Sequence, residues 1–458
     1  MRQIRKISSA MILALVSTVL TVGCGTQTGD LVNPNIGGNG NIPTGGGPTD
    51  PGSANPKPPV NNPPANPRPT ANAGADQTVE DGITVTLTGQ ASGPMGLPLS
   101  YQWTQTSGTP VTLADSTSLT ASFKSPDTSG VLAFQLVVSS ANGSATAAAK
   151  VTVNAAPILF VANSDDGSVV SFRCPSTTAI PLSVRTVLKG SNTRLTSAVD
   201  LVLDSVGGVI VTNGGNNNRI AGFYNALTAT GNVTPQRYVT NPDAQLNGPE
   251  ALAYDRANDL LFVGNFNDFP GSVSVYANAS QLGLATPAIP VRRFTSFALM
   301  NPRGMRLVQS GELYVACAGS QSVSVFAGAA SLNGPVNASR EVRSPALENA
   351  VVADVHVDAG NHLYVVDSNG RQVVRFKNAS QLNGSYDADA VIVPSGAQEM
   401  RGMTIDKNGT AYIADTAAGA IYVVPDIAAM NGTITPALMV TDGTIPLKGP
   451  CRLALVER

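Results

Sequence analysis

Charge, aromatic rings, histidine and cysteine are all scarce in this sequence. Charged residues make up 13% of the 458 positions, about half of the share usual in soluble domains. Their near balance, 28 Lys and Arg against 30 Asp and Glu, excludes a strongly basic nucleic-acid-binding protein. The two histidines, His356 and His362, stand in one short stretch, which excludes a metal site built from histidines of several repeats. Four cysteines are too few for a disulfide scaffold in a chain of this length.

Glycine and proline are abundant instead, with 45 and 32 residues. Together with many Asn, Ser and Thr residues, this composition is typical of a β-rich protein with many turns that works outside the cytoplasm. The length indicates two or more domains.

The N-terminus has the features of an export signal. A basic start is followed by an apolar run over residues 11–22, too short for a comfortable transmembrane helix but right for a signal-peptide core. The run ends in Leu20-Thr21-Val22-Gly23-Cys24, which resembles a bacterial lipobox, although Thr21 stands where Leu is usual. The resemblance implies a lipoprotein signal peptide over 1–23 and a lipid anchor, with palmitate-type acyl chains, on Cys24. The alternative is an ordinary secretory signal with a chance cysteine.

Two further expectations follow from a lipidated Cys24. No Asp follows the cysteine, which by resemblance to sorting in two-membrane bacteria favours the cell outer membrane. Three other cysteines then remain, Cys174, Cys317 and Cys451, so at most one disulfide is available. We expect free, buried thiols.

Residues 24–69 consist almost entirely of Gly, Pro, Asn and Thr. Such a segment has too few apolar residues to offset the entropy of ordering. The sequence therefore predicts a disordered stalk that lifts the folded domains away from a membrane surface.

Residues 70–155 show short strands with two-residue alternation, separated by turn clusters such as Asn142-Gly143. The pattern predicts a small antiparallel β-sandwich. The segments 71–79, 101–108 and 151–153 resemble a PKD-like, immunoglobulin-like module, which implies a spacer or adhesive unit. Trp103, the single tryptophan, is interpreted as a core residue. The acidic loop of many such modules is replaced by residues 93–98, so no calcium site is expected here.

An internal repeat runs from residue 158 to the end of the chain. Its clearest copies begin at Gly271, Gln321 and Gln372, about 50 residues apart. Each contains an inner strand, a second strand, a Val-x-Val-Tyr/Phe strand, a short Asn-Ala-Ser-x-Leu-Asn-Gly excursion and an outer strand. Four strands in a unit of this length are typical of a propeller blade. The pattern resembles NHL-type repeats, and over 158–458 it predicts a six-bladed β-propeller.

The two ends of the repeat region complement each other. The region begins at a second strand, Ile158–Asn163, and ends with an inner strand that nothing follows. We expect residues 449–457 to pair with the first blade and close the ring, which would remove an open sheet edge. The predicted fold class is thus all-β: a small β-sandwich followed by a six-bladed β-propeller, after a disordered stalk.

Charged residues recur where the inner strands begin. Aligning these strands places together Val199, Glu250, Arg303, Ala353, Arg401 and Cys451. The next position holds Asp200, Ala251, Gly304, Asp354, Gly402 and Arg452. A ring at the channel mouth could clamp a polar or anionic ligand, because arginine forks suit carboxylates and phosphates. Its candidate ligand-binding residues are Asp200, Glu250, Arg303, Asp354, Arg401 and Arg452. The alternative is that these charges neutralise one another around a wet channel.

Other polar repeats are interpreted as structural. The second strands end in short polar residues or cysteine, which we expect to cap loop backbone groups: Asn163, Asn213, Asn265, Cys317, Asp367 and Asp415. A further group of aspartates is expected to form tight turns: Asp204, Asp255, Asp358 and Asp406. His356 shares a strand face with Asp354, which would suit an acid–base pair, but a structural histidine is the preferred interpretation.

The sequence therefore favours a lipid-anchored extracytoplasmic binding or scaffold protein whose propeller is the interaction platform. Expected partners are the membrane, through the lipid, and an unknown protein, glycan or small molecule, but not nucleic acid. No catalytic residue, metal ligand or cofactor is predicted. The alternative is a metal-dependent hydrolase or lyase resembling gluconolactonases, in which Glu250, Asp200 and Asp354 would hold a cation. Arg303 and Arg401 in the same ring oppose that alternative.

Overall fold

The structure, a computed structural model, describes residues 68–174, 184–214, 218–240, 242–283, 288–443 and 445–458. The predicted signal peptide, Cys24 and the stalk up to residue 67 lie outside the described residues. Residues 65–458 form one compact unit. The predicted fold class, a small β-sandwich followed by a six-bladed propeller, is confirmed. Among the described residues there is no helix long and apolar enough to cross a bilayer.

The sandwich is built around Trp103, which is 1% exposed and donates its indole N–H to Leu119 O at 3.3 Å. Its strands are β1 (Thr70–Asn72), β2 (Gln77–Glu80), β3 (Thr84–Thr88), β4 (Gln90–Ser92), β5 (Ser100–Ser107), β6 (Thr120–Lys124), β7 (Gly130–Ser140) and β8 (Gly143–Asn154). The alternating residues of β7 and β8 that face inward are buried, as the two-residue period predicts. One pair differs from the antiparallel expectation, because the edge strand β2 runs parallel to β8. These two strands lie at opposite ends of the domain sequence, which leaves ample chain for a parallel connection.

The remaining strands form six radial sheets. Blade 1 contains β9 (Ile158–Asn163), β10 (Ser168–Arg173), β11 (Val184–Leu188) and β35 (Pro450–Val456). Blade 2 contains β12 (Ala198–Leu203), β13 (Val209–Asn213), β14 (Arg219–Phe223) and β15 (Arg237–Val239). Blade 3 contains β16 (Pro249–Asp255), β17 (Leu260–Asn265), β18 (Gly271–Ala277), β19 (Arg292–Ser296) and β23 (Gly334–Pro335).

The second half of the ring has the same plan. Blade 4 contains β20 (Pro302–Leu307), β21 (Leu313–Cys317), β22 (Ser322–Phe326), β24 (Arg340–Arg343) and β28 (Gly384–Ser385). Blade 5 contains β25 (Val352–Val357), β26 (Leu363–Asp367), β27 (Gln372–Phe376), β29 (Ala390–Pro394) and β33 (Gly432–Ile434). Blade 6 contains β30 (Met400–Ile405), β31 (Ala411–Asp415), β32 (Ala420–Val424) and β34 (Leu438–Thr441). Short 3-10 turns lie at Ser191–Thr193, Pro242–Ala244, Ala279–Gln281, Ala329–Ser331, Pro345–Leu347, Ala379–Gln381 and Ile427–Ala429.

The last strand of the chain closes the ring. β35 pairs antiparallel with β9, with Leu453 opposite Val161 and Val456 opposite Ile158. The C-terminal strand is thereby the inner strand of blade 1. The first and last parts of the propeller sequence are joined in one sheet, and neither β9 nor β35 is left with an unpaired edge on that side.

The Asn-Gly excursions make a contact that the sequence did not predict. The excursion of blade 4 forms β23, which runs parallel to the outer strand β19 of blade 3. β28 and β33 repeat this arrangement on blades 4 and 5. The Asn side chain assists, since Asn333 Oδ1 accepts a hydrogen bond from Arg293 N at 3.2 Å. Each excursion therefore covers the outer edge of the preceding blade, where unpaired backbone groups would otherwise invite association.

Apolar clusters lie between neighbouring blades rather than within them. Blades 1 and 2 share one such cluster, which includes Phe160 and Phe223, and blades 6 and 1 share another, which includes Tyr412 and Leu453. The pairs 2–3, 3–4, 4–5 and 5–6 each have a cluster of their own. Because every blade takes half of its core from each neighbour, we expect the ring to unfold cooperatively.

Arg458, the last residue, ties the sandwich to the propeller. Its guanidinium donates to Asp81 Oδ2 at 2.8 Å, to Asp127 O at 2.8 Å and to Ala156 O at 2.7 Å. Asp81 is 2% exposed and also pairs with Arg173 of blade 1 at 2.8 Å. The sandwich thus lies at the face of the propeller where β35 ends.

The residues interpreted as structural have the expected roles. Asn213 Oδ1 accepts from Thr196 N at 2.8 Å, and Asp415 Oδ2 accepts from Gln398 N at 2.6 Å. In the turn after β30, Asp406 Oδ1 accepts from Asn408 N and Thr410 N, both at 2.9 Å. Cys317 is the exception, because its Sγ contacts Val315 O at 3.5 Å and caps no loop amide.

The three cysteines of the propeller are free and buried, as predicted: Cys174, Cys317 and Cys451. Burial raises the pKa of the Cys174 and Cys317 thiols to about 12. Both thiols are therefore protonated at neutral pH, which makes them unreactive packing groups.

Candidate functional site

All six inner strands carry the same β-bulge. The strand register shifts after the first residue of each, between Pro249 and Ala251 in β16 and between Pro450 and Arg452 in β35, for example. The residue skipped in the pairing belongs to what we name the bulge row: Val199, Glu250, Arg303, Ala353, Arg401 and Cys451. We name the face where the inner strands begin the start face, and the opposite face the end face. The bulge leaves backbone groups of this row without a ladder partner.

Arg452 uses those carbonyl groups to cross the axis of the ring. Its Nη2 donates to Arg303 O at 2.6 Å and to Ala353 O at 2.7 Å. Its Nη1 donates to Arg401 O and, at 3.3 Å, to Cys451 O. The side chain is 5% exposed. Arg452 therefore fills the centre of the channel, bound to strands of blades 4, 5 and 6, instead of standing free at the mouth.

Asp200 and Asp354 lie at the same level and are also engaged. Asp200 accepts from Leu201 N and from Leu252 N of the next inner strand, both at 2.7 Å. Asp354 accepts from Val355 N and from Met403 N, both at 2.9 Å. Each carboxylate thus joins two neighbouring inner strands. We name this level the plug row: Asp200, Ala251, Gly304, Asp354, Gly402 and Arg452.

The small residues of the plug row leave the necessary space. A Cβ atom at Gly304 would overlap Asp354 Oδ1, and one at Gly402 would overlap the backbone carbonyl of Cys451. Glycine is required at both positions by close approach, since neither has a positive φ.

Burial gives Asp200 an unusual proton affinity. Desolvation raises the pKa of Asp200 to about 7, against the opposing charge of Arg452, and the neighbouring Asp354 raises it further. The pKa of Asp354 is also raised, chiefly by burial, again against the charge of Arg452. The plug row therefore holds at least one carboxyl group that titrates near neutral pH.

A pH-dependent stability follows from Asp200. The folded state binds this proton more tightly than the unfolded chain, so its contribution is fully present below pH about 4 and is lost as the pH rises through about 7. We expect the free energy of unfolding of the natural chain to fall over this window by a few kcal/mol relative to Asp200→Asn. Urea unfolding of both proteins across the window measures the difference. Parallel pH profiles would contradict the assignment.

The other three candidate residues remain near the start face. Glu250, Arg303 and Arg401 belong to the bulge row and are partly exposed. Arg401 donates from Nε and Nη2 to Glu399 Oε1 at 2.8 and 2.7 Å. The Arg303 guanidinium stacks 5.0 Å from the ring centre of Phe266, and burial lowers its pKa. The predicted ring is thus divided into a buried plug of Asp200, Asp354 and Arg452 and an accessible mouth.

A groove of about 450 Å³ opens beside this mouth, between blades 4, 5 and 6. Its wall presents Arg303, Arg371 and Arg401 with a single carboxylate, that of Glu399. We name it the arginine groove. Arg371 was missed by the sequence comparison, because it lies in the loop between β26 and β27 and not on an inner strand. Its offset from Asp367, at the end of the second strand, was the available signal.

The histidines and carboxylates do not assemble a catalytic or metal-binding cluster. His356 makes no hydrogen bond with Asp354 in the part of the chain that the structure describes, and both Asp354 oxygens accept backbone amides. His362 Nδ1 lies 2.9 Å from Asp358 Oδ2 in an adjacent turn. Within the described ranges, no group of three or more His, Cys, Asp or Glu side chains is placed to hold a metal ion.

Comparison with known proteins identifies the sandwich. Residues 73–154 match a family of PKD domains, which confirms the PKD resemblance for that part of the chain. No protein with a curated description matches.

Several solved structures are similar to the chain as a whole. The nidogen/laminin complex is 12% identical, with a TM-score of 0.46 over 65% of this chain and 98% of the other. A protein of unknown function from Bacteroides caccae is 9% identical, with a TM-score of 0.45 over 66% and 100%. Virginiamycin B lyase from Staphylococcus aureus is 11% identical, with a TM-score of 0.37 over 57% and 77%. Likeness at this level assigns no activity to the chain.

Proposed function

We propose that this protein is an exported, lipid-anchored binding protein whose propeller captures an acidic protein partner through the start face. The arginine groove is the observation that carries this proposal. Three guanidinium groups face one groove with one carboxylate, and arginine forks bind carboxylates in a bidentate manner. The plug of Arg452, Asp200 and Asp354 has a separate, structural role in the same proposal.

An exposed aromatic pair on the start face favours a protein partner. Phe269 and Phe297 are 76% and 69% exposed, and their ring centres lie 5.8 Å apart. Both follow strands of blade 3 that end at the start face, and Phe266, in the same loop as Phe269, contacts Arg303. Aromatic and arginine side chains are the residues that most often dominate the energy of protein interfaces.

Binding of a fluorescently labelled, glutamate-rich peptide containing phenylalanine tests this proposal. With the full chain in non-ionic detergent, we expect saturable binding that weakens with added salt. Arg303→Gln and Arg401→Gln should each weaken it by about tenfold, or 1.4 kcal/mol. The matched control is Lys407→Gln, an exposed charge on the end face. Equal binding by all four proteins, or no binding by the natural chain, would overturn the proposal.

The membrane anchor is a separate part of the proposal, and it rests on the sequence Leu20–Cys24. Cells expressing the chain and supplied with a palmitate analogue should label it, and Cys24→Ala should remove the label and release the protein from the outer-membrane fraction. Labelling that persists in Cys24→Ala would contradict lipidation at this residue.

The metal-dependent hydrolase alternative receives no support from the site. Asp200 and Asp354, its required ligands, accept backbone amides, and the guanidinium of Arg452 lies between the strands that carry them. A cation there would have to displace these hydrogen bonds.

A further inference from the structure

The end face of the propeller contains a second cavity, separated from the start face by the plug row. It has a volume of about 410 Å³ and is lined by residues from all six inner strands. Its floor is formed by Asp200, Asp354 and Arg452. Because Arg452 is bonded to carbonyls across the axis, the cavity is a blind pocket that opens at the end face.

The fifth residues of the inner strands form a divided wall in this cavity. One half of this level carries three hydrogen-bond donors on three consecutive strands, Arg306 of β20, His356 of β25 and Thr404 of β30. They are at the same height, since each is paired with a tyrosine of the second strand: Tyr314, Tyr364 and Tyr412. We name them the donor arc. The other half is apolar and consists of Val202, Ala253 and Ala454.

Arg306 is the central feature of the donor arc. Its side chain is exposed inside the cavity, and it forms no hydrogen bond or ion pair with any residue that the structure describes. A guanidinium remains charged even where surrounding protein lowers its pKa, as burial does here. A charge without a partner in an enclosed site is costly, and an anion supplies the missing partner.

His356 is suited to donate to the same anion without adding charge. It is 3% exposed, and its pKa is held well below its usual value by burial and by the charge of Arg306. The imidazole is therefore neutral at pH 7, with one N–H to donate. Thr404, 5% exposed, adds a hydroxyl donor on the next strand.

The acidic groups around the cavity do not cancel this arrangement. Asp200 and Asp354 on the floor each accept two backbone amides, and Arg452 lies beside them. At the opening, Glu457 is matched by Arg256, and both are exposed.

We propose that the end-face cavity binds a small organic carboxylate, with its carboxylate on Arg306, His356 and Thr404 and its apolar body against Val202, Ala253 and Ala454. The cavity size is in the range of small-molecule sites, which combine an apolar lining with few placed polar groups. This site is independent of the acidic-partner site in the arginine groove, since the plug row lies between them.

Fluorine NMR of 4-fluorobenzoate with the full chain in non-ionic detergent tests the proposal, with detergent alone as the blank. We expect saturable binding to the natural protein. Arg306→Gln should weaken it at least about tenfold, and Arg306→Lys should retain more of it because the charge is kept. The matched control is Arg343→Gln, an exposed arginine at the outer edge of blade 4, which should bind as the natural protein does.

Two neutral or minimal probes separate the two halves of the wall. 4-Fluorobenzamide lacks the charge and acetate lacks the apolar body, so both should bind more weakly than 4-fluorobenzoate. The proposal is overturned if the natural protein shows no saturable binding of 4-fluorobenzoate, or if folded Arg306→Gln binds it equally. Acetate binding as tight as 4-fluorobenzoate binding would overturn the role of the apolar half. Failure here leaves the peptide experiment on the start face unaffected, because it uses a different probe and different variants.

Discussion

Deleting residues 449–458 is expected to abolish the cooperative unfolding transition of the propeller. The deletion removes β35 and exposes the paired edge of β9. It also removes Arg452, the plug, and the buried Cys451 and Leu453. Lost burial and lost backbone pairing should cost on the order of 5 kcal/mol or more, which is comparable to the whole stability of an ordinary domain.

The single tryptophan makes this result easy to read. Trp103 lies in the sandwich, so its fluorescence reports the sandwich alone, whereas far-UV circular dichroism reports both domains. After the deletion, the tryptophan transition should persist while most of the dichroism transition disappears. A synthetic peptide of residues 449–458 should restore part of the lost transition.

Arg458→Ala is the matched control for the deletion. It keeps the closing strand but removes the contacts of Arg458 with Asp81, Asp127 and Ala156. The propeller transition should remain cooperative in this variant, with a change of about 1–2 kcal/mol for the lost charged hydrogen bonds. An unfolding curve of the deletion variant as steep as that of the natural chain would show that β35 is not essential to the ring.

Arg237→Met is expected to destabilise the protein by about 3–5 kcal/mol. Arg237 and Asp204 form a buried ion pair at 2.5 Å, with side chains that are 2% and 0% exposed. The guanidinium also donates to Ala279 O at 3.3 Å and thereby joins blade 2 to the turn of blade 3. Removing it leaves the Asp204 carboxylate buried without a cation. The midpoint of guanidinium chloride unfolding, followed by circular dichroism, measures the loss.

Two comparisons separate the buried charge from simple loss of contacts. The double variant Asp204→Asn, Arg237→Met should recover a substantial part of the loss, because no unpaired charge remains. Arg343→Met breaks the exposed pair with Glu341, whose side chains are 51% and 35% exposed, and should cost less than about 1 kcal/mol. Similar losses in Arg237→Met and Arg343→Met would contradict this reasoning.

Much of the fold was predictable because its signals are local and repeated. Strand alternation, the turn aspartates and the spacing of the Val-x-Val-Tyr/Phe strands each depend on a few consecutive residues. The excursions were visible as a sequence motif, but their destination was not. Pairing of β23 with β19 joins residues of two blades, and no periodicity in one strand reports such a partner.

The candidate site shows the same division. Alignment of the inner strands placed six charged or polar positions at two neighbouring levels, and the shared β-bulge puts them there. The alignment did not separate the plug of Arg452 from the accessible Arg303 and Arg401. That separation depends on the width of the ring, which lets one long side chain reach the carbonyls of opposite blades. Extending the alignment by two residues would have found Arg306, His356 and Thr404.

The sequence by itself determined the all-β class, the sandwich with its PKD resemblance and the number of blades, since each follows from hydrophobic alternation and repeat length. It also determined which residues stand at equivalent positions of the inner strands. The tertiary structure alone decided which of them are used up by the fold and which face a cavity. The reason is geometric: closing the ring brings together six strands that are distant in the chain, and only their distances across the axis decide whether an arginine binds carbonyl groups or remains available to a ligand.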